Sequence, residues 1–285
     1  MNKPMKKLSA FDLKIVAIIA MVIDHITALF LRASALASSP QSFNFILYQV
    51  LRGVGRLTMP LMVFCLVEGF VHTHNLYAYL IRLFVFALIS HFTFAYFTFG
   101  DFLFVPMKII YFMTGIIAAL FLSLLLLTLL FKSKLCILSK IIFSFLIFLL
   151  SLFCDWTFYP LMLAVIFYTL REKLILKVIV YVLSIPVWIF FNHYVSVIKN
   201  YIALNRFNFL QAFTENVTYF EKYYYFQFFM TGLFGVVPFI VLYNGKKANV
   251  KVQNASQIKQ AAKKYFFYVF YPLHLIILVL IKNFF

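Results

Sequence analysis

LKIVAIIAMVIDHITALFL, residues 13–31, is an almost wholly apolar run whose ionisable residues are Lys14, Asp24 and His25. A helix rises about 1.5 Å per residue, so this run matches the ~30 Å hydrocarbon core of a bilayer. The run contains no small-residue cleavage pattern of the kind that ends a signal peptide. It therefore predicts a spanning helix that is retained and also serves as the insertion signal.

The composition of the whole chain agrees with this opening run. Of the 285 residues, 65% are hydrophobic and 12% are charged, whereas about a quarter of a soluble domain is charged. The net charge of +17 is scattered between apolar segments and forms no continuous basic patch. We therefore expect the lipid bilayer, and not a nucleic acid, as the main partner.

Hydropathy predicts an all-α, polytopic bundle of about nine spanning helices within a single transmembrane domain, residues 1–285. The sixth segment is short for a full crossing, so two alternatives stay open: it spans half of the membrane, or it crosses it completely. The predicted spans are Leu13–Leu31, Phe45–Val71, Leu83–Phe99, Ile109–Phe131, Ile141–Phe153, Trp156–Leu170, Leu174–Phe191, Phe228–Tyr243 and Tyr265–Ile281.

The distribution of positive charge predicts the orientation. With the N-terminus in the cytosol, seventeen of the 25 Lys and Arg residues lie on the cytoplasmic side and six on the external side. Such a bias is typical of a multi-pass protein of the cell membrane. The same topology makes residues 192–227 an extracytoplasmic loop and residues 244–264 a basic cytosolic loop.

Ionisable side chains within the predicted spans mark a candidate functional site. Such groups cost several kcal/mol in lipid unless they are paired or hydrated, so their presence indicates function. With neutral histidines the set carries no net charge, because two arginines offset two carboxylates. The set comprises Asp24, His25, Arg52, Arg56, Glu68 and His274.

The first two spans place four of these groups in the same half of the membrane. Arg52 and Arg56 are four positions apart and share a helix face, so they clamp an anionic group or neutralise Asp24. Adjacent helical residues diverge by about 100°, so a direct hydrogen bond between Asp24 and His25 is not assured. An imidazole at this depth is a candidate general base or nucleophile.

Lys14 and His25 are eleven positions apart, which returns them to nearly the same helix face at an axial distance of about 16 Å. A cation at the cytosolic rim then lies below an imidazole deep in the membrane. The distance between the two is one that an extended pantetheine arm could cover. Alternatively, Lys14 is only an interfacial anchor.

Three further positions carry polar groups with simpler interpretations. His274 follows Pro272 and either satisfies the kinked backbone or has a binding or catalytic role. Asp155 is predicted to cap the sixth helix. Residues 72–75, which read HTHN, supply too few ligands for a metal and are predicted to form a solvated turn. We expect no metal site.

Several segments, in order along the chain, resemble the TraX family. The similar motifs are LKI and IDHI within 13–26, RGVGRL with MP within 52–60, VEGF at 67–70, HTHN at 72–75, YLIRL at 79–83, FALIS at 86–90, and YFFY with FYPLHL within 265–275. The resemblance covers Leu13 to Leu170 and Thr231 to Ile281. A basic residue, ten intervening residues and a histidine in the first helix also resemble the wider transmembrane acyltransferases.

The resemblance implies an acetyltransferase that uses acetyl-CoA or another acyl-CoA from the cytosol. The expected acceptor is an extracytoplasmic amine or hydroxyl, for example on a pilin-like peptide, a glycan or a teichoic acid. His25 and Asp24 are the expected catalytic residues. The candidate residues for binding the acyl-CoA or the acceptor are Lys14, Arg52, Arg56, Glu68 and His274.

Two other functions remain open from the sequence. A proton- or anion-linked transporter would use Asp24, His25, Arg52 and Glu68 to line its path, although no internal repeat is visible. A non-catalytic membrane protein for assembly or immunity is also compatible with the same fold.

Overall fold

The computed structural model describes residues 8–99, 114–203, 208–245 and 257–284. Within these ranges the chain is helical and forms no named β-strand. A π-helical turn, Thr27–Leu31, joins the first two α-helices, and a 3₁₀ helix, Tyr224–Val236, precedes the eleventh. The α-helices are α1 Ala10–Ile26, α2 Arg32–Ala37, α3 Phe43–Gly55, α4 Thr58–His72, α5 Leu76–Phe99, α6 Ile116–Phe131, α7 Ile137–Ser151, α8 Tyr159–Thr169, α9 Leu174–Ala203, α10 Phe209–Tyr223, α11 Val237–Leu242 and α12 Gln257–Phe284.

Among the described residues, five helical segments are long and apolar enough to cross a membrane. The remaining apolar helices are shorter; α8, for example, has 11 residues and a length of only about 16 Å. The count of about nine crossings and the cytosolic N-terminus therefore stay predictions. The five segments are Ala10–Ala35, Phe43–His72, Leu76–Thr98, Leu174–Ile198 and Tyr265–Phe284.

The two predicted loops differ from what the structure describes. The stretch 192–227 is mostly helical, because α9 continues to Ala203 and α10 follows from Phe209. The stretch 244–264 lies partly outside the described residues, and its last part, from Gln257, belongs to α12. Hydropathy did not reveal these helices because their sequences are less apolar than the spans.

The first helix begins at a capping box and changes its winding beyond His25. Ser9 is the N-cap: its side chain accepts a hydrogen bond from the Asp12 backbone N–H, and the Asp12 carboxylate accepts one from the Ser9 N–H. This arrangement satisfies two backbone donors that otherwise lack partners. The π-helical turn begins at Thr27, and turns of this kind occur frequently at functional sites.

The predicted second span is interrupted. α3 ends at Gly55 and α4 begins at Thr58, so a short turn at Arg56 and Leu57 divides the long segment Phe43–His72 into two helices. Of the most apolar stretch of this segment, 61% is buried, against 33% or less for each of the other four long segments. The α3–α4 unit is therefore the centre of the bundle, and the other long helices expose more of their surface to lipid.

Two contacts fix how α4 packs against α1, and a third fixes how the 3₁₀ helix crosses α3. The Thr58 hydroxyl donates to the Ala17 carbonyl and the Cys65 thiol approaches the Ala10 carbonyl, so α4 runs antiparallel to α1. The 3₁₀ helix crosses α3 where Gly232 meets Gly53 so closely that a side chain on Gly232 would strike the Gly53 backbone. The glycine at position 232 permits this close helix crossing.

Candidate functional site

Asp24 lies in an ion cluster with the two arginines of α3. The Arg52 Nη1 is 2.7 Å from Asp24 Oδ1, and the Arg56 Nη2 donates to both carboxylate oxygens at 2.7 and 2.8 Å. The Arg56 Nε also donates to the Arg52 carbonyl at 3.3 Å. Of the two alternatives that the sequence left open, the structure therefore has the arginines neutralising Asp24.

The lack of a side chain at Gly55 gives Asp24 the room for this pairing. A Cβ atom on Gly55 would overlap the Asp24 carboxylate, so only glycine leaves room for the side chain of α1. A buried pair of this kind is costly to break, because a remaining charge loses its partner in an apolar environment.

Aromatic rings close the arginine side of the cluster. The Arg56 guanidinium lies 4.7 Å from the Trp156 ring centroid and 5.2 Å from that of Phe229, and Arg52 lies 5.3 Å from Phe229. Such cation–π contacts stabilise a desolvated guanidinium. Trp156 itself stacks on Trp188, whose indole N–H donates to the Trp156 carbonyl at 3.3 Å.

The turn that carries Trp156 is strained. Trp156 and the following Thr157 have φ values of 65° and 49°, a region that bulky or β-branched residues rarely adopt. The Asp155 carboxylate accepts from the Trp156 N–H and lies within Coulombic range of both arginines. The prediction that Asp155 caps the sixth helix is wrong, since α8 has Phe158 as its N-cap with no side-chain hydrogen bond.

His25 does not join the ion cluster of Asp24; it contacts a histidine on the last helix instead. Its Nδ1 lies 2.9 Å from Nε2 of His274 on α12, and Phe97 and Tyr271 contact its ring edge-to-face at centroid distances of 5.2 and 6.3 Å. The His274 ring stacks on Phe270. Among the described residues, the structure records no hydrogen bond to the second ring nitrogen, His25 Nε2.

A cavity of about 600 Å³ lies beside this pair, between α1, α4, α5, α6 and α12. Its volume falls in the range of small-molecule sites, about 300–1,000 Å³. At one end it is lined by Lys14, Arg82 and the turn 72–75, of which His72, His74 and Asn75 are exposed. Because α4 runs antiparallel to α1, this mouth lies at the end that the sequence predicts to face the cytosol.

At its other end the cavity reaches the histidine pair through Tyr271. Tyr271 lines the cavity together with Met21 and Ile116, and the same tyrosine ring contacts both His25 and His274. Lys14 lies 5.2 Å from the Phe267 ring centroid on α12. Lys14 and His25 therefore both face α12, as the eleven-residue spacing predicts.

The structure does not bring every predicted site residue together. Glu68 lies apart from Asp24 and the arginines: its carboxylate accepts from the Tyr243 hydroxyl at 2.7 Å, and its carbonyl is 2.8 Å from the His72 Nδ1. Of the predicted site residues, only Lys14 lines the cavity. The part of the chain that the structure describes contains no group of three His, Cys, Asp or Glu side chains arranged for a metal.

Four features of the site and its cavity were not predicted from the sequence. The turn 72–75 was predicted to be a solvated turn, and Arg82 had no role beyond its place in the motif YLIRL, yet both line the cavity mouth. Tyr271 and Trp156 are aromatic residues among many in a chain with 18 Tyr and 39 Phe. The nearest signal for Tyr271 was its position next to Pro272 within the closing motif.

The sequence of this chain is similar to a known protein family. The family model described as TraX protein matches residues 9–241. A relative named "Probable fimbrial assembly protein FimC, serogroup H1", from Dichelobacter nodosus, is 37% identical over 158 residues, which are 55% of this chain and 61% of the relative. The alignment thus spans less than two thirds of the relative's length. No solved structure matches the chain. Because the family model covers well over half of the residues, and includes Lys14, Asp24, His25 and both arginines, the chain belongs to the TraX family.

Proposed function

We propose that this protein is a membrane-embedded acyltransferase that moves an acyl group, acetyl by the family resemblance, from acyl-CoA to an amine or hydroxyl on the opposite side of the membrane. The observation that carries the proposal is the cavity. It begins at a basic, exposed mouth with Lys14 and Arg82 and ends at Tyr271, which contacts the His25–His274 pair.

The cavity suits the shape and charge of an acyl-CoA. Lys14 and Arg82 at the mouth are placed to meet phosphate groups, which lysine and arginine bind by charge-assisted hydrogen bonds. The wall between the mouth and Tyr271 is largely apolar, with Met21, Leu66 and Leu120 among its residues, and would accept the extended thioester arm. The thioester then lies near the histidine pair.

His25 is the group we assign to the chemistry. As general base it takes the proton of the acceptor hydroxyl or amine while the acceptor oxygen or nitrogen forms a bond to the acyl carbon. The carbon–sulfur bond breaks, the CoA sulfur leaves with the bonding electron pair, and the imidazolium returns the proton to that sulfur. Alternatively, His25 carries the acyl group transiently as an acyl-imidazole.

The ion cluster supports this chemistry indirectly. Asp24 and Arg56 hold α1 against α3 and so fix the position of the neighbouring His25. Arg52 has a buried Nε without a hydrogen-bond partner among the described residues, and we assign it to an anionic group of the acceptor or to the thioester oxygen.

The proposal is tested with purified protein in lipid nanodiscs. Acetyl-CoA should raise the unfolding temperature, because a ligand that binds only the folded state stabilises it. Desulfo-CoA, which keeps the nucleotide end, should also stabilise, whereas free acetate should not. Carbon-13-labelled acetyl-CoA should pass its label to envelope material. The absence of both stabilisation and label transfer would contradict the proposal.

A second candidate is a non-catalytic role in assembly of a surface fibre. It is favoured by the name of the Dichelobacter nodosus relative, a fimbrial assembly protein. In that case the protein would co-purify with a fibre subunit, and His25→Ala would leave assembly intact.

A further inference from the structure

The hydrogen-bond partners of His274 define which of its ring nitrogens carries the proton. His274 Nδ1 is 3.0 Å from the Phe270 carbonyl oxygen, four residues earlier on α12. A carbonyl oxygen can only accept, so Nδ1 of His274 is the donor. In a neutral imidazole the other nitrogen, Nε2, then has a lone pair and no proton.

The protonation of His274 determines that of His25. The bare Nε2 of His274 lies 2.9 Å from Nδ1 of His25, so His25 Nδ1 must carry the proton that this contact requires. A neutral His25 with its proton on Nδ1 has its lone pair on Nε2. The two hydrogen bonds therefore run in one direction: His25 Nδ1–H donates to His274 Nε2, and His274 Nδ1–H donates to the Phe270 carbonyl.

The surrounding charges favour the neutral form of both rings. The charged groups that act on His25 are one carboxylate, Asp24, and two guanidinium groups, Arg52 and Arg56, so the surroundings already carry a net positive charge. An imidazolium would add an uncompensated cation to this site, and burying an unpaired charge is costly. If both rings were charged, two N–H donors would also face each other across 2.9 Å.

We propose that His274 is a positioning residue for His25: it accepts the His25 Nδ1–H, selects that tautomer and presents His25 Nε2 as the atom that takes the acceptor proton. The proposal rests on the acyl-transfer function above and assigns within it a role for the last helix. Pro272 lies within the helical turn that carries Phe270 and His274, and it would help to set the orientation of the His274 ring.

The contact with His274 stabilises the charge that develops on His25 during the reaction. When His25 Nε2 takes the acceptor proton, the ring becomes an imidazolium with a proton on each nitrogen. Its Nδ1–H already donates to His274 Nε2, so the new charge forms in a contact that strengthens as it develops. The Nδ1 proton stays in the contact between His25 and His274, and the Nε2 proton is the one returned to the CoA sulfur.

The experiment is nitrogen-15 NMR of histidine-labelled protein in nanodiscs. The chain has six histidines, and His25→Gln and His274→Gln each remove one ring for assignment. A bare imidazole nitrogen resonates far downfield of a protonated one. We expect His25 to show a protonated Nδ1 and a bare Nε2, with a coupling across the hydrogen bond to His274 Nε2. A protonated Nε2 on His25 would overturn the proposal.

Two substitutions of His274 provide the functional arm. His274→Ala removes the acceptor, so the His25 proton should redistribute between its nitrogens and turnover should fall by about 10–100-fold, as for other histidines that lose an orienting partner. His274→Gln offers an amide oxygen and should restore most of the turnover and the Nδ1–H tautomer. Acetyl-CoA affinity should not change in either variant. Equal turnover in the Ala and Gln variants would contradict a positioning role.

The two proposals fail separately. If the wild-type protein transfers no acetyl group but His25 is protonated at Nδ1, the acyltransferase function is contradicted and the tautomer assignment stands. If transfer occurs and His25 carries its proton on Nε2, the positioning role is contradicted and the function stands.

Discussion

Asp24 and His25 are consecutive residues of α1, yet they belong to two regions of different character. Asp24 enters an ion cluster in which both arginines contact its carboxylate and aromatic rings cover the guanidinium groups. His25 enters a pair with His274 that leaves one of its ring nitrogens without a recorded partner in the described structure. The charge pairing of the first region holds α1 against α3, whereas the second region has an imidazole nitrogen that is available for chemistry.

The largest expected effect comes from His25 itself. His25→Ala should lower acyl transfer by about 10²–10⁴-fold, the range for loss of a general base. The protein should still fold, because His25 contributes no ion pair, but the unfolding temperature should fall modestly, since the buried His274 loses its hydrogen-bond partner. Turnover of labelled acetyl-CoA and thermal unfolding, measured on the same preparation, check both statements. Wild-type-like turnover would remove His25 from the mechanism.

The ion cluster should show the opposite pattern. Asp24→Ala leaves the buried Arg56 and the half-buried Arg52 without their carboxylate and should cost about 3–5 kcal/mol of stability, measured as loss of folded protein on heating in nanodiscs. The matched control is Glu172→Ala, whose ion pair with Arg171 is exposed and should contribute about 0–1 kcal/mol. Equal losses in the two variants would contradict the assignment of the cluster to structure.

Two glycines on α3 sharpen the same comparison. Gly55→Ala places a methyl group on the Asp24 carboxylate and should destabilise by about 1–3 kcal/mol, as for other overpacked sites. Gly53→Ala is the control, because its Cβ would be 3.5 Å from the Phe229 carbonyl oxygen, an ordinary contact. Melting temperatures should therefore fall for Gly55→Ala and stay near the wild-type value for Gly53→Ala.

The smallest effect is expected at the cavity mouth. Lys14→Ala should weaken acetyl-CoA binding by about tenfold, since one charge-assisted hydrogen bond at a partly solvated site contributes about 1.5 kcal/mol. Lys134→Ala removes an exposed lysine that does not line the cavity and should leave the affinity unchanged. Titration calorimetry at two salt concentrations measures both, and an unchanged affinity for Lys14→Ala would reject its proposed role.

Much of the helical layout was predictable from the sequence, because apolar runs and flanking charges report on single helices. The segments Leu13–Leu31 and Tyr265–Ile281 fall within helices of the structure, and the spacing of Lys14 and His25 correctly predicted a common face. Each of these inferences needs only the period of one helix.

The site itself depends on relations that no single helix encodes. His25 and His274 are 249 positions apart, and their contact is set by the relative height and rotation of α1 and α12. The interruption of the second span after Gly55 was also hidden, because RGVGRL contains no proline and reads as continuous helix. The left-handed backbone at Trp156 has no sequence signature either, since tryptophan rarely adopts it.

The most direct test of the central claim is mass spectrometry of envelope fractions from cells that carry the wild-type protein, His25→Ala or no copy of the gene. The account predicts a component that bears one acetyl group in the wild type and lacks it in the other two strains, with the His25→Ala protein present at normal levels in the membrane. An identical envelope in all three strains, or full acetylation with His25→Ala, would contradict the claim that this protein transfers an acyl group by means of His25.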